Sequence, residues 1–296
     1  MDAELKAFMQ RVDTLLGRLE PLLPAPRPPI DWLATVAARW QRESRAGGYL
    51  MPLKVDLDLS LDDLIGIDRQ RELLSANTRQ FVQGKPANHV LLWGARGTGK
   101  SSMIRALLAA HAQDGLRLIE IERDHLADLP RVVELLAGMP QRFVVFCDDL
   151  SFEAGEGDYR VLKSVLDGSL ERAPDNVLLY ATSNRRHLVP EKQSDNENWQ
   201  MVDGELHPNE AVEDKIALSD RFGLWLSFYP FSQEHYLEVV RHWIGSLAAP
   251  LELQWSWSEG LEKEAIRWAT ARGNRNGRCA YQFARQWVGT QLLAKA

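Results

Sequence analysis

The sequence contains 296 residues, of which 45% are hydrophobic and 26% are charged. These proportions are typical of a folded protein with a buried core, and the length exceeds that of one average domain. A net charge of -6 argues against a protein that coats nucleic acid through bulk attraction to phosphate, although a local basic patch is compatible with it. Cys147 and Cys279, the two cysteines, are far apart and predict neither a disulfide framework nor a zinc site.

The first residues, MDAELKAFMQ, do not resemble a secretory signal. They are acidic within four positions and contain no basic stretch followed by an apolar one. No segment of the sequence is long and apolar enough to predict a membrane-spanning helix. Because the sparse cysteines also favour a reducing compartment, we expect a cytoplasmic protein.

Residues 1–60 are predicted to form a helical region that contains a proline-rich linker. Five apolar residues recur at steps of three or four: Leu5, Phe8, Val12, Leu15 and Leu19. This spacing predicts an amphipathic helix that ends at Pro21, with its apolar stripe packed on its own domain or used for self-association or partner binding. Residues 21–29, PLLPAPRPP, predict a stiff extended connector. A second helix is predicted from Asp31 to about Arg45.

Residues 61–230 alternate short apolar runs with amphipathic helical patterns, which predicts an α/β domain with a parallel sheet covered on both faces. The predicted strands are His89–Trp93, Leu116–Ile121, Phe143–Cys147, Val177–Thr182 and Leu224–Phe228. After residue 230 only helical patterns remain, beginning with Ser232 as a helix N-cap. Residues 231–296 are therefore predicted to form a small all-helical domain.

The stretch GARGTGKS, Gly94 to Ser101, matches the P-loop pattern between a predicted strand and a predicted helix. Its glycines allow backbone amides to turn inward around phosphate oxygens, and the helix N-terminus adds a favourable dipole. Lys100 is expected to reach the β- and γ-phosphates, and the Ser101 hydroxyl to bind Mg²⁺. A glycine turn that binds nothing is the alternative. The predicted nucleotide contacts here are Gly94, Arg96, Gly97, Thr98, Gly99, Lys100, Ser101 and Ser102.

Two adjacent acids, Asp148 and Asp149, follow the apolar run FVVFC. Ligands of open α/β sheets bind at the carboxyl ends of the strands, where these acids are expected to lie. Asp148 is predicted to hold Mg²⁺, and Asp149 to polarise the water that attacks the γ-phosphate. Without the P-loop, a solvated strand end would explain the pair equally well.

At this point the sequence resembles the AAA+ ATPases from about Leu61 to the C-terminus. The resemblance implies a five-stranded parallel core with a C-terminal helical lid. It also implies that Asn184, which follows LLYATS, is sensor 1 and helps to align the attacking water. Arg221, in the segment LSDRF, resembles the arginine finger that enters the site of a neighbouring subunit. A turn asparagine and a surface arginine, or one paired with Asp220, are the alternatives.

Two further segments resemble AAA+ motifs. GNRNGR precedes a predicted helix and resembles sensor 2, for which Arg275 is the first choice and Arg278 the second. DLIGID resembles the stretch that brackets adenine, so Ile65 and Gly66 are expected to contact the base. The alternatives are a helix-terminal surface arginine and an ordinary entry loop to a core helix.

Two departures from the AAA+ pattern are evident. Asp149 stands where these ATPases usually have glutamate, so water activation is expected to be weaker and turnover slow. The loop at residues 123–130 contains neither an aromatic residue nor a glycine, unlike the pore loop of AAA+ unfoldases. Polypeptide threading therefore lacks its usual grip.

The stretches GIDRQRELL, LLWGARGTGKSS and LSDRFGLWLSFYPF resemble a bacterial AAA+ family known as domain of unknown function 815. This resemblance implies ATP and Mg²⁺ as ligands and a nucleotide-dependent homo-oligomer, a ring or an arc such as a hexamer, that remodels an unidentified macromolecule. One alternative is an ATP-binding assembly switch with negligible hydrolysis. Another is a DNA-linked ATPase similar to helicase loaders, with a basic surface around Arg185 and Arg186. The polar loop at 187–218 is long enough to carry a function of its own.

Overall fold

The computed structural model describes residues 2–19, 28–44, 47–152, 158–167, 174–185, 200–202, 205–207 and 220–295. The chain divides into two compact units, Met1–Asp31 and Trp32–Ala296. Helix α1 of the first unit, Asp2–Leu19, confirms the helix predicted there. Leu5 and Phe8 of its apolar stripe are exposed, and the use of that stripe stays a prediction. The predicted linker at 21–29 lies largely outside the described residues.

The second unit is built on a seven-stranded sheet with the spatial order β2-β1-β4-β5-β6-β3-β9. The strands in chain order are β1 (Ala37–Ser44), β2 (Gly47–Pro52), β3 (Val90–Gly94), β4 (Leu116–Glu120), β5 (Arg142–Cys147), β6 (Val177–Ser183), β7 (Gln200–Val202), β8 (Glu205–His207) and β9 (Leu224–Phe228). All neighbouring strands of the large sheet are parallel except β1 and β2, which are antiparallel. This arrangement confirms the predicted α/β class with a mainly parallel sheet.

All five predicted strands are present, as β3, β4, β5, β6 and β9. Every residue of β6 is buried, and only the first residue of β5 is not. Strands buried on both sides need continuous apolar runs, which is why these segments could be recognised in the sequence. Because the five strands are parallel, their carboxyl ends meet at one edge of the sheet, which we call the site edge.

The helix predicted from Asp31 to about Arg45 is wrong, and so is the strand count of five. Most of that segment is β1, which pairs with β4 and with β2 and extends the sheet to seven strands. Ion pairs hold β1 in place, between Arg39 and Glu120 at 2.9 Å and between Arg42 and Asp128 at 2.8 Å. The sheet therefore begins well before the boundary predicted at residue 61.

Seven helices are described in the second unit. They are α2 (Asp68–Val82), α3 (Lys100–His111), α4 (Leu129–Leu136), α5 (Asp158–Asp167), α6 (Gln233–Ala248), α7 (Glu259–Ala271) and α8 (Gly277–Lys295). Short 3₁₀ helices lie at Leu61–Asp63, Arg123–Asp128 and Ala249–Leu251. The segment after β4, in which no pore-loop residues were found, is thus a 3₁₀ helix that continues into α4.

Helices α6, α7 and α8 form the C-terminal helical region, which we call the lid. The lid has a hydrophobic cluster of its own, which includes the buried Tyr236, Val240 and Phe283, separate from the cluster around the sheet. Ser232 caps α6 as predicted, because its hydroxyl accepts the His235 backbone N–H at 3.1 Å. The lid therefore has an apolar core of its own within the second unit.

The long polar loop predicted at 187–218 contains a small antiparallel hairpin of β7 and β8. The rest of that loop lies outside the described residues. In the described part of the chain, no helix has the length and apolar character that a membrane crossing requires.

Candidate nucleotide-binding site

The P-loop follows β3 at the site edge and begins α3. Its three glycines, Gly94, Gly97 and Gly99, have positive φ angles of 133°, 76° and 102°, a region that side chains rarely adopt. A Cβ atom on Gly94 would also lie 1.9 Å from the Phe228 carbonyl oxygen. The loop is braced internally, since the buried Thr98 donates its hydroxyl to the Ala95 carbonyl at 2.8 Å. The glycines thus permit the curved backbone in which successive amides can face a phosphate.

Lys100 is 7% exposed and lies inside the curve of the loop. Its Nζ donates to the carbonyls of Gly94 and Ala95, both at 2.8 Å, and to Asn184 Oδ1 at 3.4 Å. Burial lowers the pKa of Lys100, and the nearby carboxylates of Asp148 and Asp149 oppose this shift. The ammonium group therefore lies where it can meet a phosphate bound by the loop.

Asp148 connects the P-loop to the neighbouring strands. Its Oδ1 accepts the Ser101 hydroxyl at 2.8 Å and the Thr182 hydroxyl at 2.5 Å. The described residues contain no group of three or more His, Cys, Asp or Glu side chains placed to hold a metal. A protein site with one carboxylate and one hydroxyl suits Mg²⁺, which usually keeps several waters and takes its other ligands from phosphate oxygens. Ser101 and Asp148 therefore fit the predicted magnesium site.

Asp149 faces Asn184 and Arg96 at the same edge. The Asn184 side-chain amide donates to Asp149 Oδ1, and Arg96 Nη2 lies 3.4 Å from Asp149 Oδ2. The Asp149 backbone has a positive φ of 55°, and its N–H donates to Thr182 Oγ1 at 2.9 Å. The structure thus brings together the predicted water-polarising acid and the predicted sensor 1 asparagine.

Ser102 lies one residue further into α3 than Ser101. Its hydroxyl accepts from Arg105 Nη2 at 3.4 Å, a contact within α3. The Ser102 side chain therefore has a partner on its own helix, and its predicted contact with the nucleotide stays a prediction.

The segment predicted to bracket adenine contacts the lid. His235 Nε2 lies 2.8 Å from the Ile65 carbonyl oxygen, and since a carbonyl can only accept, that nitrogen carries the proton. Gly66 has a φ of 73°, and a Cβ atom there would lie 2.0 Å from His235 Nε2. A second lid histidine, His242, lies 2.9 Å from Asp63 Oδ1. Ile65 and Gly66 are therefore placed between the core and α6.

The first turn of α8 lies on the P-loop. The Asn276 side-chain amide donates to the Arg96 carbonyl at 3.1 Å, and the Arg278 backbone N–H donates to the Gly97 carbonyl at 3.3 Å. Arg275 lies just before this turn and is exposed. Arg278 thus contacts the P-loop through its backbone, and the choice of Arg275 before Arg278 as sensor 2 stays a prediction.

Arg221 lies near the amino ends of the strands, opposite the site edge. It precedes β9, which runs parallel to β3 with Leu224 paired to Val90 and Phe228 paired to Gly94. A strand of five residues is about 13 Å long, and the P-loop follows the far end of β3. Of the predicted site residues, Arg221 is the one that the fold keeps away from the P-loop of its own chain.

Three residues of this site were not predicted: Thr182, His235 and Asn276. Thr182 ends a strand and contacts both acids, so its polar side chain at a buried strand end was a usable signal. His235 and Asn276 act through contacts with residues 170 and 180 positions away. Nothing in the local sequence pattern marks such long-range contacts.

The sheet order, the P-loop at its site edge and the C-terminal helices give the fold that AAA+ proteins share. More particularly, the chain belongs to the family described as "Protein of unknown function (DUF815)", whose model matches residues 33–291. A comparison with curated protein sequences gives no significant match.

Solved structures with a similar fold include proteins from two organisms. Two mutants of Thermotoga maritima RuvB give TM-scores of 0.54 and 0.53 at 16% and 15% identity, each over 80% of this chain and over 67% and 68% of RuvB. Aeropyrum pernix ORC1 in complex with DNA gives a TM-score of 0.52 at 14% identity, over 80% of this chain and 64% of ORC1. At these low sequence identities, the similarity shows a shared fold alone.

Proposed function

We propose that the chain binds and hydrolyses Mg-ATP between subunits of a homo-oligomer and uses the cycle to move its lid and remodel a macromolecular partner. The observation that carries this proposal is the convergence at the site edge of three motifs that are far apart in the sequence. The P-loop, the acidic strand end and the asparagine after β6 meet through two contacts, Ser101 to Asp148 at 2.8 Å and Lys100 to Asn184 at 3.4 Å.

The P-loop supplies the groups that hold the triphosphate. Its inward-facing amides and the N-terminus of α3 favour an anion, and Lys100 adds a nearby ammonium group. Bound Mg²⁺ would neutralise phosphate charge between Ser101 and Asp148. Ile65 and Gly66, which lie between core and lid, are the proposed contacts for adenine.

Water activation falls to Asp149 with Asn184 beside it. A carboxylate accepts a proton from the attacking water, and the amide of Asn184 fixes the direction of that carboxylate. Because Asp149 is one methylene shorter than the usual glutamate, its reach toward the γ-phosphate is reduced. We therefore expect slow turnover, at the lower end of the usual range for enzymes of about 1–1,000 s⁻¹.

The position of Arg221 supports a site shared between subunits. Arg221 lies near the amino ends of the strands, whereas its own P-loop lies at their carboxyl ends. The P-loop of a neighbouring chain is therefore a better partner for Arg221. A guanidinium group offsets the charge that develops on the transferred phosphoryl group. Arg275, or Arg278 as the second choice, would report the same phosphate to the lid, so that a neighbouring chain and the lid would both respond to one nucleotide.

Steady-state ATPase assays over a range of protein concentrations test the shared site. Lys100→Ala should abolish nucleotide binding, whereas Asp149→Asn and Arg221→Ala should bind ATP and lose most of the turnover. Arg79→Ala, at an exposed arginine on α2, is the matched control and should behave as wild type.

Mixing the Asp149→Asn and Arg221→Ala chains gives the sharper result. A site built from the Asp149 of one chain and the Arg221 of the other is intact, so the mixture should recover part of the activity that each variant lacks. Turnover that does not depend on concentration, with no recovery on mixing, would remove the shared site.

A second candidate function is an assembly switch that binds ATP and barely hydrolyses it. The observation in its favour is the short acid Asp149, which is already engaged by Asn184 and Arg96. This function predicts ATP-dependent oligomerisation with turnover at background. Light scattering of the Lys100→Ala and wild-type chains with ATP, read together with the ATPase rate, separates the two functions.

A third candidate is a DNA-linked ATPase. Residues 265–296 contain six basic residues and no acidic one, although the chain as a whole is acidic, and Arg267, Arg272 and Arg285 are exposed on the lid. ORC1, one of the proteins with a similar fold, was solved with DNA. This function predicts ATPase stimulation by single-stranded DNA that declines steeply with salt, and an unchanged rate counts against it. Arg185 is described and exposed, whereas Arg186 lies outside the described residues.

A further inference from the structure

The lid holds the outer side of the P-loop through two consecutive carbonyl groups. Asn276 Nδ2 donates to the Arg96 carbonyl at 3.1 Å, and the Arg278 N–H donates to the Gly97 carbonyl at 3.3 Å. A Cβ atom on Gly277 would lie 3.2 Å from the Gly97 carbonyl oxygen, so a side chain there would press on the loop. The first turn of α8 is thus in direct backbone contact with the P-loop.

The Asn276 side chain forms hydrogen bonds with both of its polar atoms, one to α8 and one to the P-loop. Its Oδ1 accepts the Cys279 N–H at 2.9 Å and so caps α8, while its Nδ2 points to the Arg96 carbonyl. The cap fixes the orientation of the amide, because the oxygen must face the helix. Serine can replace asparagine as a cap, but its side chain is too short to reach the loop as well.

The carbonyls held by the lid belong to the peptide groups whose amides face the proposed phosphate. The Arg96 carbonyl shares a peptide with the Gly97 N–H, and the Gly97 carbonyl shares one with the Thr98 N–H. A carbonyl that accepts a hydrogen bond polarises its peptide and makes the N–H at the other end a better donor. Gly97 has no room for a side chain, since a Cβ atom would lie 2.7 Å from Asn276.

We propose that Asn276 is a positioning residue that orients the amides of Gly97 and Thr98 toward nucleotide phosphates, so that the seating of the lid sets nucleotide affinity. This inference rests on the proposed ATP-binding function. Because coupling between two sites is reciprocal, a bound phosphate also holds the lid against the loop. Asn276 acts here through the backbone of the loop and needs no contact of its own with the nucleotide.

Two variants separate the cap from the contact with the loop. Asn276→Ala removes both, whereas Asn276→Ser keeps the cap and removes the bond to Arg96. If Asn276 positions the loop, the serine variant regains the melting temperature of wild type and still binds ATP and ADP about fivefold more weakly, the effect of one ordinary hydrogen bond. The matched control is Asn274→Ser, because Asn274 donates to the Arg272 carbonyl within the lid and should leave affinity unchanged.

Calorimetric titration with ATP and ADP in the presence of Mg²⁺ gives the affinities, and thermal unfolding gives the stabilities. A serine variant that recovers wild-type affinity together with wild-type stability overturns the inference, since Asn276 would then be a helix cap alone. An equal loss of affinity in Asn274→Ser overturns it as well. Failure of the wild-type chain to bind either nucleotide is a different outcome, which removes the proposed function and this inference with it.

Discussion

Replacing Thr182 by valine tests whether one buried hydroxyl positions both acids of the site. Thr182 is 1% exposed, and its Oγ1 donates to the Asp148 carboxylate and accepts the Asp149 N–H at 2.9 Å. Valine has nearly the same shape but can form neither bond. The free energy of unfolding should therefore fall because two hydrogen bonds are lost, without a new cavity.

The size of the loss follows from the nature of the two bonds. A hydrogen bond to a charged acceptor contributes about 1.5–3 kcal/mol, and a buried N–H without a partner costs about 1–3 kcal/mol. The Asp149 amide is only partly buried, so water offsets part of the second cost. We expect Thr182→Val to lower the free energy of unfolding by about 2–4 kcal/mol, or roughly 5–10 °C in melting temperature.

Urea unfolding followed by tryptophan fluorescence measures this change, with Thr182→Ser as the matched control. Serine keeps the hydroxyl and loses one methyl group, so its cost should be about 1 kcal/mol. The valine variant should also need more Mg²⁺ for half-maximal ATP binding, because Asp148 has lost a group that holds its carboxylate. A valine variant as stable as the serine variant would refute the reasoning.

Three further predictions concern buried or constrained groups. Burial lowers the pKa of His89 from 6.5 to about 4, so between these pH values the unfolded chain binds more protons than the folded one. The free energy of unfolding should therefore fall by up to about 3 kcal/mol on acidification. His89→Gln should flatten this pH dependence, and equal slopes of stability against pH for the two chains would contradict the reasoning. Gly66→Ala should lower the melting temperature more than Gly115→Ala, because both have positive φ angles but only Gly66 faces another side chain, that of His235; equal losses would count against the clash. Burial raises the pKa of the Cys147 thiol to about 12, so Cys147 should react with a thiol reagent only as fast as the protein unfolds, and rapid labelling of the folded protein would disprove this.

The predicted strands and the observed strands agree where burial is complete. The run at Val177–Ser183 is buried at every position, so its apolar composition reflects its position in the sheet directly. The strand ends shifted by a residue at most, as at Val90–Gly94, which was predicted as His89–Trp93. His89 and Gly94 border the strand at positions where packing gives way to loop geometry, and periodicity does not specify such ends.

The hairpin of β1 and β2 was missed because its stability depends on distant partners. Residues 31–45 contain three alanines and three arginines, which favour a helix in isolation. In the fold, Trp40 donates to Asp128 at 2.8 Å and Arg39 pairs with Glu120. These acids lie more than 80 residues away, so the local pattern could not reveal that β4 would accept another strand.

The candidate site was predictable as far as its motifs are local. The P-loop and the two acids each carry their chemistry within eight residues, and the parallel sheet brings them together because strands of one direction share an edge. The contacts between the lid and the P-loop are not contained in one local motif. The contacts of Asn276 and Arg278 with the P-loop depend on how the lid packs on the core, which neither local sequence specifies.

The aspartate at position 149 follows from the backbone that the fold imposes there. Asp149 has a φ of 55°, in the left-handed region that costs most side chains about 1–2 kcal/mol and that aspartate tolerates better than longer residues. Its N–H is held by Thr182 and its carboxylate by Asn184. A glutamate at this position would have to accept the same backbone angle and would carry its carboxylate past Asn184. The short acid therefore matches the turn, and under the proposed function this geometry predicts slow hydrolysis.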